Sequence, residues 1–214
     1  MTPKGLDAFL ADNPLVRLEP MAQDAPLTLT GKVLLNHHHG DYPVIREYLS
    51  LKVTIPRKYP HEPPVFEEVG KVIPKSENYH VNPDGSLCLG SPFRIMTFLH
   101  DESCFNSFYQ SFFIPYGYAA LLKKHHGIEF IFGELKHGDD GEFEDFQALF
   151  DVQSKKEIIG FLYALSLKKR VANKIDCFCG CSSRLGKCLI HHRVNSFRKR
   201  LPRCRYSLLK ERLF

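Results

Sequence analysis

The sequence predicts an α+β fold, and three patterns of apolar residues carry this prediction. Residues 4–13 place apolar side chains at helical spacing, and Asn13-Pro14 ends that helix. From Leu27 the apolar period changes to two, which predicts antiparallel strands over residues 27–35 and 49–55. Helical periodicity returns after residue 100. A helix, a β-meander and then further helices are the order of an α+β domain.

The weaker elements follow in chain order. A third strand is expected over residues 65–73, and residues 74–92 are too rich in Pro, Asn, Asp and Gly for regular structure. An aromatic helix is predicted over residues 103–124, with a break or kink at Pro115. Apolar stripes predict two more helices, which cover residues 143–150 and 155–170.

The composition is that of an ordinary globular chain. Its 214 residues are 43% hydrophobic and 25% charged, which excludes wholesale disorder. The longest nearly apolar run, residues 112–122, contains a proline and is far shorter than the roughly 20 residues that a membrane span needs. Residues 1–7 lack the charged-then-apolar layout of a signal peptide. We therefore expect a cytoplasmic protein.

The net charge of +5 is concentrated at the carboxy-terminal end. Residues 193–214 hold eight Lys and Arg against one acidic residue, Glu211, so this segment carries +7 and residues 1–192 carry −2. Such a segment binds nucleic acid or an acidic protein surface, or it is a solvated end. Its few aromatic residues do not make a base-stacking surface, so protein contact is favoured and nucleic acid is not expected.

The chain has seven cysteines, and an odd number without a secretory signal argues against a disulfide framework. Four of them lie within twelve residues, which indicates a metal site in a reducing compartment. Cys88 stands in turn-rich sequence, where a cysteine is either a nucleophile or a small buried apolar side chain. Cys104 lies in the aromatic helical run and is expected to pack in the core.

The residues before Cys88 favour the nucleophile. Pro83-Asp84-Gly85 is a tight-turn sequence, so the chain reverses and His80 and Asn82 can fold back toward the sulfur. A histidine can orient or shuttle a proton, and an asparagine amide can donate a hydrogen bond to an oxyanion. A thiolate suits acyl transfer through a thioester. We therefore expect Cys88, His80 and Asn82 to form a catalytic site.

Two motifs here resemble those of ubiquitin-conjugating enzymes. The first is Tyr59-Pro60-His61-Glu62-Pro63-Pro64, and the second is Gly85-Ser86-Leu87-Cys88-Leu89, which matches the segment of the family's acceptor cysteine. Between them stands His80-Val81-Asn82, without the proline of the family's His-Pro-Asn element, and the chain has no Trp. The resemblance covers about residues 1–125. The shortened elements are more similar to bacterial relatives, which occur in antiphage operons.

The resemblance implies a ubiquitin-conjugating-like (UBC-like) fold with an N-terminal helix, a β-meander, an active-site loop and C-terminal helices. It also implies an activity: Cys88 would carry the C-terminal glycine of a ubiquitin-like modifier as a thioester and pass it to an amine. The implied partners are an adenylating activating enzyme and the modifier, or the C-terminus of a nucleotidyltransferase.

The cysteine cluster has the spacing of a zinc knuckle. Cys177-Phe178-Cys179 places two thiolates one residue apart, and Cys188 returns from a short loop. The segment resembles the SEC-C zinc motif, which implies a structural Zn²⁺. Leu189 occupies the motif's adjacent ligand position, so His191 is the expected fourth ligand, with His192 and Cys181 as the alternatives.

We expect three regions: a UBC-like domain with a helical extension over residues 1–170, the knuckle over 171–192 and the basic tail over 193–214. The alternative function is a catalytically silent UBC-like scaffold that binds protein or nucleic acid through the knuckle and the tail. The presence of Cys88 favours the enzyme, because inactive variants of the family typically lack the cysteine.

Two further features have simpler interpretations. Histidines 37–39 are adjacent, but successive side chains of an extended segment point in opposite directions, so a polar loop is favoured over a metal site. Glu134 and His137 are close enough to share a catalytic site, although a solvated turn is the favoured interpretation.

Overall fold

A computed structural model of the chain describes residues 2–20, 22, 24–132 and 138–213. Glu134 and His137 lie outside these residues. The chain divides into two compact units: a sheet unit of Met1–Gly90 and Arg94–Glu134, and a helical unit of Ser91–Phe93 and Leu135–Phe214. In the part of the chain that the model describes, no helix has both the length and the apolar character needed to cross a membrane.

The sheet unit begins with one helix and four strands, which are α1 (Leu6–Asp12), β1 (Val16–Leu18), β2 (Leu27–His37), β3 (Ile45–Ile55) and β4 (Val65–Glu68). The strands form one antiparallel sheet in the order β1-β2-β3-β4. β2 and β3 pair along their whole length, from Leu27 opposite Ile55 to His37 opposite Ile45. The predicted α+β class with an antiparallel meander is therefore confirmed, and β1 is an additional short edge strand.

The helices that follow the sheet are α2 (Pro92–Asp101), α3 (Phe105–Phe108), a π-helical turn (Tyr109–Phe113) and α4 (Ile114–His126). The regular α-helix is interrupted beside the predicted break or kink at Pro115, which lies in the first turn of α4, where a missing N–H costs no intrahelical hydrogen bond. The π-helical turn immediately before it makes the transition between the two helices. α2 falls between the predicted irregular stretch and the predicted aromatic helix, where no element was expected.

The core of the sheet unit is aromatic. The ring of Phe66 on β4 stacks on Phe105, Phe108 and Phe113, with ring centroids 6.2, 6.1 and 5.4 Å away. α4 lies directly on the sheet, since a Cβ atom on Gly117 would stand 2.6 Å from the Cδ1 atom of Leu35. This close approach fixes the position of α4 and of the side chains on either side of Gly117.

The helical unit contains α5 (Gly138–Phe150), α6 (Lys155–Ser166), α7 (Lys169–Ala172), α8 (Ile190–Phe197) and α9 (Arg203–Leu213). α9 packs along α6, and its Tyr206 and Leu209 are buried. The segment expected to be a separate basic tail is therefore packed structure. The helical unit begins well before residue 170, where the sequence placed the end of the first region. α5 packs on α6, and α6 in turn packs on α8 and α9.

Two arginines of the basic segment cap neighbouring helices. Arg193 donates hydrogen bonds to the carbonyl oxygens of Phe150 and Asp151 at the end of α5. Arg198 donates to the carbonyl oxygens of Ala164 and Leu167 at the end of α6. A cation at this position also interacts favourably with the negative end of the helix dipole. Part of the basic charge thus stabilises the fold.

Candidate functional site

Cys88 is the last residue of a short hairpin that follows β4. The turn is closed by a 2.9 Å hydrogen bond from the Gly85 N–H to the Asn82 carbonyl, and Gly85 has a φ of 91°, which favours glycine. The Asp84 carboxylate accepts hydrogen bonds from the hydroxyl and the N–H of Ser86, and these bonds lower the pKa of Asp84. The turn expected before Cys88 is therefore present.

The hairpin is attached to the edge of the sheet. Val81 and Leu87 form an antiparallel bridge, and the Leu87 N–H donates a 2.8 Å hydrogen bond to the Phe66 carbonyl of β4. Val81 and Leu87 are buried, and side chains alternate along a paired segment. The side chain of Cys88 therefore lies on the opposite side and is exposed. His80, the residue before Val81, has a left-handed backbone with a φ of 53°.

His80 lies directly across the hairpin from Cys88. The Cys88 N–H donates a 2.8 Å hydrogen bond to the His80 carbonyl oxygen. The imidazole meets the ring of Phe130 edge to face, with centroids 4.5 Å apart. The structure thus pairs the backbone of the expected nucleophile with that of the expected histidine.

Asn82 lies one pair farther along the hairpin, opposite Ser86. Its N–H donates to the Ser86 carbonyl at 2.8 Å, and its side-chain Nδ2 donates to the Ser86 Oγ at 2.9 Å. Asn82 is exposed and lies on the same side of the hairpin as Cys88. One of its two amide N–H groups is thus bound at the turn, and an Asn amide has a second one to offer.

Tyr116 of α4 joins this site, and sequence reasoning missed it. Its hydroxyl donates a 2.8 Å hydrogen bond to the Tyr79 carbonyl. Burial raises the pKa of Tyr116, and the nearby charges of Cys88 and Glu68 raise it further. An aromatic residue in an apolar helix is equally typical of a core position, so the sequence held no specific signal for this role.

The Tyr-Pro-x-x-Pro-Pro motif is held by packing. The Tyr59 hydroxyl donates a 2.9 Å hydrogen bond to the Ser103 carbonyl, and its ring contacts Phe105 at 6.4 Å between centroids. Cys104 is half-buried rather than fully in the core, and its Sγ leaves no room for a Cβ atom on Gly5. Both contacts attach the loop before α3 to the rest of the sheet unit.

The second candidate site is a group of four thiols in the helical unit. The Sγ atoms of Cys177, Cys179, Cys181 and Cys188 all lie within 4.8 Å of one another. The Cys177–Cys179 and Cys179–Cys188 sulfur separations are 3.1 and 3.6 Å. Sulfur atoms at about 2.3 Å from a tetrahedral metal ion are about 3.8 Å apart, so the group can hold a metal ion.

Cys181 completes this group, whereas the expected fourth ligand was His191. Among the residues that the model describes, neither His191 nor His192 belongs to the group. The left-handed backbone at Gly180 and Ser182 turns Cys181 toward the other thiols. The backbone of Ser183, together with the neighbouring thiols, lowers the pKa of Cys181 to about 7.

The knuckle that carries the four thiols is docked on α6. A Cβ atom on Gly160 would stand 2.3 Å from the Cβ of Phe178, and the Phe178 ring contacts Phe161 at 5.8 Å between centroids. The Cys177 N–H donates a 2.8 Å hydrogen bond to the Ser183 carbonyl, which closes the loop. The knuckle is thus continuous with the packing of the helical unit.

The rings of His37 and His39 contact different aromatic residues, so the histidine run does not form one metal site. The His37 ring contacts Tyr118, and the His39 ring contacts Phe132, each at 4.9 Å between centroids. The chemistry that the described residues offer is therefore an exposed thiol on a hairpin and a group of four thiols that could hold a metal ion.

The chain matches no protein-family model, no curated protein and no solved structure.

Proposed function

We propose that the chain is a UBC-like acyl transferase in which Cys88 carries the C-terminal glycine of a ubiquitin-like modifier, or of a partner protein, as a thioester. The observation that carries this proposal is the hairpin itself. An exposed thiol is fixed by a backbone hydrogen bond to His80, on a segment that is attached to the edge of an antiparallel meander. The partners we propose are an adenylating activating enzyme with its modifier, or a nucleotidyltransferase C-terminus, as in antiphage defence operons.

The two chemical steps use residues of the hairpin. In loading, the Cys88 thiolate attacks the activated glycine carbonyl, and the thiolate or adenylate of the donor leaves. In transfer, an amine attacks the thioester carbonyl, the amine loses a proton and the Cys88 thiolate leaves. The His80 imidazole, across the hairpin, is the candidate acceptor of that proton. The second amide N–H of Asn82 is the candidate donor to the oxyanion.

We also propose that the four-thiol group binds Zn²⁺ through Cys177, Cys179, Cys181 and Cys188. The four sulfur atoms lie within 4.8 Å of one another, and four thiolates are a ligand set of structural zinc sites. Four protein ligands leave no open coordination position for catalysis. The ion would therefore stabilise the knuckle and take no part in acyl transfer.

A peptide thioester ending in glycine tests the acyl-transfer proposal without a known partner. The full-length chain is incubated with this probe, and the acylated residue is located by mass spectrometry with and without reductant. We expect one adduct on Cys88 that reductant removes, because thiols cleave thioesters. Cys88→Ser should give a reductant-resistant ester, and Cys88→Ala should give no adduct at residue 88.

Cys204 supplies the control, because it is also exposed but lies outside the hairpin. Acylation of Cys88 should be at least about tenfold faster than that of Cys204 if the hairpin activates the thiol. Added lysine should then release the acyl group from Cys88 as an amide. Equal acylation of the two cysteines, or hydrolysis with no amide product, would contradict the proposed function.

A further inference from the structure

A cavity with a strongly basic lining, wide open to solvent, lies in the helical unit. Its volume is about 320 Å³, which is within the range of small-molecule sites. Four of its six lining side chains are cationic and the other two are leucines. The six are Lys168, Lys169, Arg198, Arg203, Leu165 and Leu201.

The surrounding sequence has few acidic residues to balance these cations. Residues 155–214 contain 16 Lys and Arg against three Asp and Glu. No acidic side chain is among the six residues that line the cavity. The four cations therefore repel one another across a space that is open to a ligand, and a bound anion would offset that repulsion.

Arg198 is the most buried of the four cations. Burial lowers the pKa of Arg198, and the neighbouring charge of Arg203 lowers it further. Its two terminal nitrogens donate to the carbonyl oxygens at the end of α6. Its buried Nε–H has no acceptor among the side chains and backbone that the model describes.

We propose that this cavity binds a phosphorylated small molecule. Phosphate carries close to two negative charges and several acceptor oxygens, which match the guanidinium of Arg203, the Nε–H of Arg198 and two ammonium groups better than a single carboxylate does. The two leucines offer an apolar wall to the organic part of the ligand. This binding site is separate in chemistry from the thiol of Cys88, so it does not depend on the proposed acyl transfer.

Calorimetry on the full-length chain tests the proposal, with inorganic phosphate, pyrophosphate and AMP as probes. We expect saturable binding of pyrophosphate with a dissociation constant below about 1 mM at roughly physiological salt. Arg203→Gln and Lys169→Gln should each weaken this binding about tenfold, because each removes a charge-assisted hydrogen-bond donor. Both residues are exposed, and Arg198 is left unchanged because it caps α6.

Lys199→Gln is the matched control, since it removes an exposed cation of the same segment that does not line the cavity. It should change pyrophosphate binding less than twofold. Binding of AMP at least as tight as that of pyrophosphate would identify a nucleotide as the ligand class, and tighter pyrophosphate binding would identify a polyphosphate group. The proposal is overturned if Lys199→Gln weakens binding as much as Arg203→Gln, if no probe binds, or if only an oligonucleotide binds.

Discussion

The backbone N–H of Cys88 and the carbonyl oxygen of His80 are joined by a 2.8 Å hydrogen bond. The position of the thiol is therefore tied to the backbone of residue 80. The imidazole can be removed while this contact is kept, so its chemical role can be separated from its structural one.

His80→Ala should slow acyl transfer from Cys88 to lysine by about 10²-fold and leave loading within about twofold, because the activated donor already supplies the driving force for loading, whereas in transfer the attacking amine must lose a proton. Single-turnover release of the acyl group from chain already acylated at Cys88 measures transfer in isolation. His61→Ala, which changes an exposed histidine of the same unit, is the control and should not affect either step. Equal slowing of loading and transfer would show that His80 only positions the hairpin.

Cys181→Ser should lower bound metal to less than about half an equivalent per chain, because it removes one of the four converging thiols. His191→Ala should keep about one equivalent. Elemental analysis of both purified variants, beside the unchanged chain, measures this. Metal loss from His191→Ala together with full retention by Cys181→Ser would restore the ligand set that the sequence predicted.

Arg198→Met should reduce the free energy of unfolding of the helical unit by about 2 kcal/mol. The variant leaves two carbonyl groups at the end of α6 without their charged donor, and it removes a cation from the negative end of the helix. Lys199→Met is the control, and we expect a change within about 0.5 kcal/mol because that side chain is exposed. Denaturant unfolding at fixed pH compares the two, and equal stabilities would show that the capping bonds contribute nothing.

Glu157 should make the stability of α6 dependent on acid pH. Hydrogen bonds from the Gln153 N–H and then from Ser154 lower the pKa of Glu157 below its ordinary value of 4.5. The stabilisation is therefore present above pH 4.5 and is lost as the pH falls through the lowered pKa. Glu157→Gln should show a smaller loss of stability than the unchanged chain between neutral and acid pH, measured by urea unfolding. The same loss in both chains would contradict this role, and Glu77→Gln, at an exposed position, is the control.

Features that depend on residues close together along the chain could be predicted from the sequence. Alternation of apolar residues located β2 and β3, and the turn sequence located the reversal before Cys88. The cysteine spacing located a group of thiols that could hold a metal ion. The spacing could not decide whether Cys181 or His191 is the fourth ligand, because the position of Cys181 depends on the left-handed backbone at Gly180 and Ser182.

Features that depend on distant contacts could not be predicted in this way. Tyr116 reaches the Cys88 region through a hydrogen bond to a residue 37 positions earlier, and Arg198 reaches α6 across 34 positions. The charge of residues 193–214 suggested a solvated or binding segment. This segment also contains apolar positions, such as Tyr206, that pack it on α6, and the charge drew attention away from them. A charge count describes a surface and does not show which cations have backbone acceptors.

Phe178 should transmit loss of the metal to α6. Cys177→Ser should release the knuckle, because the free energy of metal binding is largely its folding energy. Phe178 would then leave its contacts with Gly160 and Phe161, and the backbone of α6 would open more often. Hydrogen exchange should therefore accelerate both in residues 173–188 and in α6, with sheet-unit peptides as the internal reference.

Phe178→Ala should keep the metal and still accelerate exchange in α6. Cys204→Ser changes an exposed cysteine outside the four-thiol group, and it should neither lower bound metal nor accelerate exchange in α6. Acceleration confined to the knuckle in Cys177→Ser would mean that the knuckle is an independent appendage, as the sequence alone suggested.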